Sequence, residues 1–398
     1  FTNGTFTNGF FDSCDPNPAQ CDAPPPSIVQ KPVAKEPVCT DGPTVERTGV
    51  YAKISSNTYA EWVPERREAY FVGALSNEMA NRLNIFSPDT NTLTEFTLPF
   101  RYDYSAPPAL MWSPIQKKLY LFSGLTGQST ARARSTNSTD IHSFDPATKE
   151  IVRVAEMPQP QLNTAPVYVP SNGKMYLFGG MAWNGGSVGK NRGASNMNDV
   201  TVFNPADNSV ELVEINENAV NGPRSPVAWD PSSQKILINK TVGWITYDPN
   251  NLLGSRQEVQ RSTSRVLGNT YGDAFIRENE GIFEAVDIGY TGPRRKNIAD
   301  GTSRGSGKGF VYEEDGTYVN QRSQHDVFYD AVTKRAYKVG GNGRDIYNIS
   351  GQKNNELVTE AEIVKFCVDD RCCDNQPPPA PSLAAAKPKL VVQALLLM

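Results

Sequence analysis

Six short phrases of this 398-residue chain share an aromatic residue that is followed, eight positions later, by a second large apolar residue. The first members are Trp62, Trp112, Tyr168, Trp229, Phe275 and Tyr329, and the second members are Tyr70, Tyr120, Tyr176, Leu237, Phe283 and Tyr337. The offset is equal in all six phrases, whereas the intervals between phrases vary. This combination predicts one repeated β-hairpin whose copies are joined by loops of unequal length.

A second pair of strands follows in most units. The phrases contain an aromatic, a proline turn and a mostly polar strand, and their aromatics are Phe86, Phe144, Phe203 and Tyr247. Proline marks the end of strand pairing because it fixes φ and has no N–H to donate. Six units of four short strands over residues 50–366 predict an all-β, six-bladed β-propeller. No unit has the 3.6-residue period of a helical solenoid.

The repeat resembles the kelch family of propellers. The residues that carry the resemblance are "LFGG" at 177–180, "KVGG" at 338–341, and the D-[IV]-x-x-F-[DN]-P phrases at 140–146 and 199–205. Gly73 and Gly124 are single glycines in units one and two, and the tryptophan usual on the last kelch strand is absent. The resemblance implies a divergent, secreted type of kelch-like propeller, but no particular function, because propellers host many.

Composition divides the chain into three parts. We predict a Cys/Pro-rich N-terminal arm at 1–43, a propeller at 44–367 and a Cys/Pro-rich C-terminal arm at 368–398 that ends in the apolar segment "LVVQALLLM". The predicted blades lie near 50–99, 100–158, 159–217, 218–260, 261–319 and 320–366. Dense proline predicts stiff, extended arms. The apolar end either docks on a neighbouring molecule or is a disordered end.

Cysteine placement and N-x-S/T sequons predict a secreted, extracellular or cell-surface glycoprotein. The six cysteines are Cys14, Cys21, Cys39, Cys367, Cys372 and Cys373, and the sequons are at Asn3, Asn137, Asn239 and Asn348. Because the ends of a propeller chain meet, we favour a disulfide between Cys39 and Cys367, with Cys14–Cys21 as a local loop, among the 15 connectivities that six cysteines allow. The chain starts without a basic and apolar leader, so we expect a processed product, and it has no apolar run long enough for a membrane span.

A glycine-rich run before Lys190 raises the alternative of a phosphate loop, but the Walker register and hydroxyl are both missing. In kelch-type blades the loops between second and third strands emerge on one face. We therefore predict a ligand-binding face for acidic glycans or an acidic partner, with a solvated rim as the alternative. Its candidate residues are Arg132, Arg134, Trp183, Lys190, Arg192, Arg294, Arg295, Lys296, Arg304 and Arg344. Trp183 suits sugar stacking, unless it folds back onto its blade.

No catalytic residue, metal site or cofactor is predicted. The copper radical oxidases among secreted kelch propellers need a cysteine crosslinked to a tyrosine near the axis, and this chain has no cysteine between Cys39 and Cys367; its two histidines are His142 and His325. Asp273, Glu278 and Glu284 supply carboxylates for glycoside hydrolysis, but nothing in the sequence requires that use. A net charge of −4 and a pI near 5.5 argue against nucleic acid as a partner.

These features favour an assembly function. We expect a structural or interaction subunit of an extracellular surface assembly or filament that binds other extracellular proteins, or copies of itself, through the terminal arms. The alternative is a carbohydrate-binding or carbohydrate-active propeller that uses the basic loop face.

Overall fold

The computed structural model describes the strands and most of the tight turns of the chain. The described residues are 39–41, 44–54, 56–74, 80–102, 106–122, 124–126, 136–183, 194–196, 199–215, 227–240, 243–261, 274–279, 282–287, 294–297, 303–305, 323–342, 346–347, 353–354, 361–369 and 371–373. All regular elements within these ranges are β-strands, numbered β1 to β32 in chain order. The all-β prediction is therefore confirmed for this part of the chain.

Five four-stranded antiparallel sheets, named blades 1 to 5, each come from one continuous stretch of chain. Blade 1 contains β3 (Ser56–Val63), β4 (Glu68–Ala74), β5 (Arg82–Ser87) and β6 (Thr92–Thr97). Blade 2 contains β7 (Ala109–Ser113), β8 (Lys118–Phe122), β11 (Asp140–Asp145) and β12 (Glu150–Glu156). Blade 3 contains β13 (Ala165–Val169), β14 (Lys174–Phe178), β17 (Asp199–Asn204) and β18 (Ser209–Glu214). Blade 4 contains β19 (Val227–Asp230), β20 (Lys235–Lys240), β21 (Gly243–Tyr247) and β22 (Gln257–Arg261). Blade 5 contains β23 (Ala274–Asn279), β24 (Ile282–Asp287), β25 (Arg294–Asn297) and β26 (Ser303–Gly305).

A further four-stranded sheet, here called the closing sheet, combines both ends of the chain. Its strands from inside to outside are β27 (Ser323–Asp330), β28 (Arg335–Asn342), β31 (Ala361–Cys367) and β2 (Thr44–Ala52). The prediction of six units that each supply their own four strands is therefore wrong, since only five do. The last unit provides three strands and takes the fourth from the N-terminal side, which covers the edge of β31 and ties the ring shut.

Two-stranded ribbons extend from these sheets. Their strands are β1 (Cys39–Asp41) with β32 (Arg371–Cys373), β9 (Leu125–Thr126) with β10 (Thr136–Asn137), β15 (Met181–Trp183) with β16 (Ala194–Asn196), and β29 (Ile346–Tyr347) with β30 (Lys353–Asn354). The last three ribbons lie between the second and third strands of their sheets. They continue those strands outward on the face opposite to the hairpin turns.

The sheets are arranged around a central axis. The first strand of each sheet lies at the inner edge, and β27, β3, β7, β13 and β19 contact one another in that order, while β23 contacts β27. These contacts arrange the sheets as a β-propeller, which confirms the predicted propeller fold, but the structure has five blades and the closing sheet in place of the six blades predicted.

The hairpins owe their shared shape to one four-residue turn. In blades 1 to 4 it begins with proline, and its last residue adopts a positive φ in five sheets, at Arg67, Lys117, Gly173, Gln234 and Lys334. The backbone N–H of that last residue closes the turn, as from Lys117 to the Ser113 carbonyl at 2.9 Å. The same geometry recurs between third and fourth strands, where Lys149 donates to the Asp145 carbonyl at 2.8 Å.

Blade 5 departs from this register. In the other hairpins the residue before the first aromatic pairs with the second member of the predicted pair, as Glu61 does with Tyr70. In blade 5, Phe275 pairs with Val286, and the hairpin closes at Asn279 and Ile282. The equal offset of Phe275 and Phe283 is therefore not the same structural repeat, because this hairpin has a shorter turn.

Aromatic contacts join successive sheets. A second-strand aromatic packs against the third-strand aromatic of the next sheet. The ring-centroid distances are 5.8 Å for Tyr337–Phe86, 6.2 Å for Tyr70–Phe144, 5.2 Å for Tyr120–Phe203 and 5.6 Å for Phe178–Tyr247. Burial in this layer raises the pKa of Tyr120 to about 12. These four contacts are part of larger apolar clusters that span the sheets involved.

Gly180 shows why a glycine follows the second strand of blade 3. Its φ is +94°, and a Cβ placed there would lie 2.5 Å from the Leu162 carbonyl oxygen, on the segment that leads into β13. Only glycine permits both this conformation and this close approach of two backbone segments.

We therefore expect Gly180→Ala to lower the free energy of unfolding by at least about 2 kcal/mol, because it adds backbone strain to a collision with a carbonyl. Gly173→Ala is the matched control. Gly173 also has a positive φ of 70°, but a Cβ there would meet only the flexible end of Ile115 at 3.3 Å. Lysine, arginine or glutamine occupies that turn position in other sheets, so we expect only the backbone cost of about 1 kcal/mol. Denaturant unfolding measures both, and equal losses would contradict this explanation.

Candidate functional site: the closure of the ring and its arms

The outermost strand of the closing sheet holds the two ends of the chain together. β2 pairs with β31 from Thr44 opposite Cys367 to Ala52 opposite Ala361. The register shifts between Arg47 and Tyr51, where the Thr48 hydroxyl donates to the Ile363 carbonyl at 2.5 Å. Val45 and Phe366, which are paired in the ladder, are both buried. The closure therefore combines a backbone ladder with an apolar contact.

The predicted arms begin as one ribbon beside this closure. Cys39 in β1 lies opposite Cys373 in β32, and Asp41 lies opposite Arg371. Cys367, at the end of β31, is disulfide-bonded, and its partner lies outside the described side chains. The two arms consequently leave the ring together, from one place on its rim.

A buried ion cluster fastens the segment after β31 to blade 5. Asp369 accepts from Arg277 Nη2 at 2.5 Å, and the same nitrogen lies 3.2 Å from Glu284. Arg277 Nη1 donates to the Tyr329 hydroxyl at 3.2 Å, and Arg295 Nη1 lies 3.9 Å from Asp369. Burial opposes ionisation of Arg277, yet its bonds to Asp369 raise its pKa above the ordinary value. Two guanidinium groups thus balance two carboxylates at a junction of blade 5 with the closing sheet.

We expect Asp369→Asn to destabilise the fold by on the order of 3 kcal/mol, because it leaves the buried Arg277 without its main counter-charge. Asp140→Asn is the matched control. Asp140 pairs with Arg153 at the surface, so its loss should cost less than about 1 kcal/mol. Thermal and denaturant unfolding give both values. Similar small losses would show that the cluster does not stabilise the closure.

Two carboxylates lie at the innermost strands. Asp326 of β27 accepts the Ala60 N–H at 2.7 Å, and Glu61 of β3 accepts the Trp112 N–H at 3.0 Å. Each carboxylate therefore covers a backbone donor on the inner edge of the next sheet. Burial raises the pKa of Glu61 to about 8, and the charge of Asp326 contributes in the same direction.

This shift predicts a pH-dependent stability. Below pH 4.5 Glu61 is protonated in both states; between 4.5 and 8 only the unfolded state loses the proton, so wild-type stability falls as pH rises. For one such group the free energy of unfolding falls by up to about 1.4 kcal/mol per pH unit over this range. Glu61→Gln keeps an acceptor for the Trp112 N–H but does not titrate, so we expect it to remove this fall. Glu65→Gln is the control. The bonds of Glu65 to Lys117 and Trp112 help to lower its pKa despite burial, so its contribution to stability changes with pH in the opposite direction. Unfolding curves from pH 4 to 9 test this, and parallel curves for wild type and Glu61→Gln would refute it.

The predicted basic loop face is only partly described. Arg294 and Lys296 lie in β25 and Arg304 in β26, so these three belong to strands rather than to a loop. The expectation that Arg295 is an exposed loop residue is wrong: it is in β25, is 6% exposed and lies beside Asp369. The middle residue of the basic sequence Arg294–Arg295–Lys296 thus belongs to the buried ion cluster around Asp369. The remaining arginines and the lysine lie outside the described residues, and they are Arg132, Arg134, Lys190, Arg192 and Arg344.

The tryptophan and the histidines are placed as follows. Trp183 ends β15 in the ribbon of blade 3, and its side chain is outside the described part. His142 is in the third strand of blade 2, as predicted, and stacks on Phe100 with ring centroids 4.2 Å apart. Burial lowers its pKa. His325 is in the innermost strand β27. Glu284, a carboxylate considered for glycoside hydrolysis, is engaged with Arg277.

Most predicted modification sites remain predictions. Asn137 and Asn239 lie on β10 and β20, without described side chains, whereas Asn3 and Asn348 lie outside the described residues. Cys14 and Cys21 also lie outside them, and the side chains of Cys39, Cys372 and Cys373 are not described. The favoured Cys39–Cys367 pairing therefore stays a hypothesis.

Two features are absent from the described residues, a clustered metal site and a membrane-spanning helix. Among these residues, no group of three or more histidine, cysteine or acidic side chains is arranged to hold a metal ion. The same ranges contain no helix of the length and apolar character that a bilayer crossing needs. No family model matches the chain, and no curated protein matches it.

Proposed function

We propose that this propeller is a secreted glycoprotein that serves as a structural or interaction subunit of an extracellular assembly or filament, joined through its terminal arms. The observation that carries the proposal is the shared origin of the arms, where Cys39 lies opposite Cys373 beside the closing sheet. Both terminal arms therefore start at the same place on the propeller, so a neighbouring molecule can be linked there through either arm.

The outer strands offer a docking surface for such an arm. β6, β12 and β18 are edge strands of blades 1 to 3, and most of their residues are exposed or half-buried. Their outward backbone groups suit the addition of an extended apolar strand from a neighbouring copy. The segment 390–398 has the length and the apolar character of such a strand. Contacts repeated from one copy to the next in this way produce a filament.

Secretion is supported by the disulfide of Cys367, because structural disulfides persist in oxidising compartments. We also propose a divergent kelch-type identity for the repeat. It is supported by the D-[IV]-x-x-F-[DN]-P phrases, which form third strands and their turns in blades 2 and 3, and by the strand-ending Gly180.

Removal of residues 374–398 should abolish self-association of the native, unreduced protein and leave the ring folded. The measurement is mass by light scattering with negative-stain imaging, alongside thermal unfolding. Replacement of Leu395, Leu396 and Leu397 by serine is the matched control, since it keeps the proline spacer and changes only the apolar end. Both changes should give monomers. A full-length chain that is monomeric at all concentrations, or association unaffected by both changes, would refute assembly through this arm.

A further inference from the structure

One turn differs from the others in length. The third and fourth strands of blades 1 to 3 are joined by four residues, whereas β21 ends at Tyr247 and β22 begins at Gln257. The intervening turn is held in a defined shape, because the Asp248 N–H donates to Ser255 at 2.7 Å and the Asn250 N–H donates to Asp248 at 2.8 Å. Blade 4 thus projects a structured extension on the hairpin-turn side of the ring.

This extension leans against blade 3. The Tyr176 hydroxyl donates to the Pro249 carbonyl at 3.3 Å and accepts from the Asn172 amide at 2.8 Å. Leu252 is buried in the apolar cluster shared by blades 3 and 4, whereas Leu253 is 70% exposed. The turn of blade 4 therefore forms a wall beside the sheet of blade 3, and a space remains between the turn and that sheet.

The space that remains is a cleft of about 440 Å³. Its floor includes Val213 of blade 3, Leu253 forms part of its wall, and Lys174, Glu211 and Asn250 supply polar groups. In the described part of the chain, no hydrogen bond or ion pair engages the Lys174 ammonium, the Glu211 carboxylate or the Asn250 amide. Its volume is within the range of sites for small organic ligands.

The chemistry of the lining indicates the class of ligand. One ammonium and one carboxylate cancel, so the cleft has no net charge to select an anion or a cation. Amide and charged groups together both donate and accept hydrogen bonds, which matches hydroxyl groups, since each hydroxyl does both. The valine and leucine surfaces suit the C–H face of a ring. We propose that the cleft between blades 3 and 4 binds a neutral saccharide unit, free or as the end of a glycan.

This site is separate from the arms and from the predicted basic loop face. Hairpin turns and the loops between second and third strands leave opposite ends of antiparallel strands, so the cleft and Arg294 lie on opposite faces of the ring. A saccharide bound in the cleft leaves both the closure and the loop face unobstructed.

The test uses the full chain and a panel of neutral mono- and disaccharides, with binding followed by saturation-transfer NMR and titration calorimetry. We expect at least one sugar to bind, and Glu211→Ala to weaken it at least tenfold. Glu214→Ala is the matched control, because Glu214 is an exposed residue of the same strand on its opposite face; neither it nor Arg294→Ala should change the affinity. Thermal unfolding verifies that all variants fold.

The outcomes separate the alternatives. Binding of the free sugar supports a soluble-saccharide site, and binding only to the same sugar displayed on a glycoprotein supports a glycan-recognition site. No binding to either form, binding that Glu211→Ala leaves intact, or preference for a sulfated sugar or a free amino acid would each overturn the proposal. Assembly through the arms is tested separately, by light-scattering mass measured without sugar. The assembly proposal and the saccharide proposal can therefore fail independently.

Discussion

The contact between a second-strand aromatic and the third-strand aromatic of the next sheet is the interaction on which the ring depends. Each sheet is too small to bury its own faces, so its stability comes from its neighbours. The contact runs from Tyr337 to Phe86, then from Tyr70 to Phe144 and from Tyr120 to Phe203. Because the first of these crosses from the closing sheet to blade 1, the same packing rule that joins neighbours also joins the two ends of the chain.

The closure adds two interactions that are unlike the repeat. β2 supplies a backbone ladder to β31, and Asp369 links the segment after β31 to Arg277 of blade 5. Apolar packing is weakly directional, whereas a ladder and a hydrogen-bonded ion cluster both require one register. The closing sheet therefore defines how the ends meet, and the arms inherit their position from it.

The sequence predicted the blades well because hairpin register and turn chemistry are local. The pairs Trp62/Tyr70 and Trp112/Tyr120 are set by a four-residue turn whose proline is visible in the sequence. Two features required distant partners and were missed. β2 has no hairpin partner nearby in the chain, because its ladder partner is the distant β31, and Arg295 resembles a loop residue until Asp369 is placed beside it. The cleft was missed for the same reason. The sequence shows that the turn between β21 and β22 is long, but it does not show that the turn lies against blade 3.

The composite nature of the closing sheet has a consequence for biosynthesis. Thr48 and its hydrogen-bond partner Ile363 are 315 positions apart in the chain, so β2 emerges from the ribosome long before β31 exists. Throughout that interval the nascent chain carries an unpaired strand, with an exposed ladder edge, next to a growing stack of blades. Contacts of such high sequence separation form last. Blades 1 to 5 can form as they are translated, while the circular molecule is complete only when the final tenth of the polypeptide arrives.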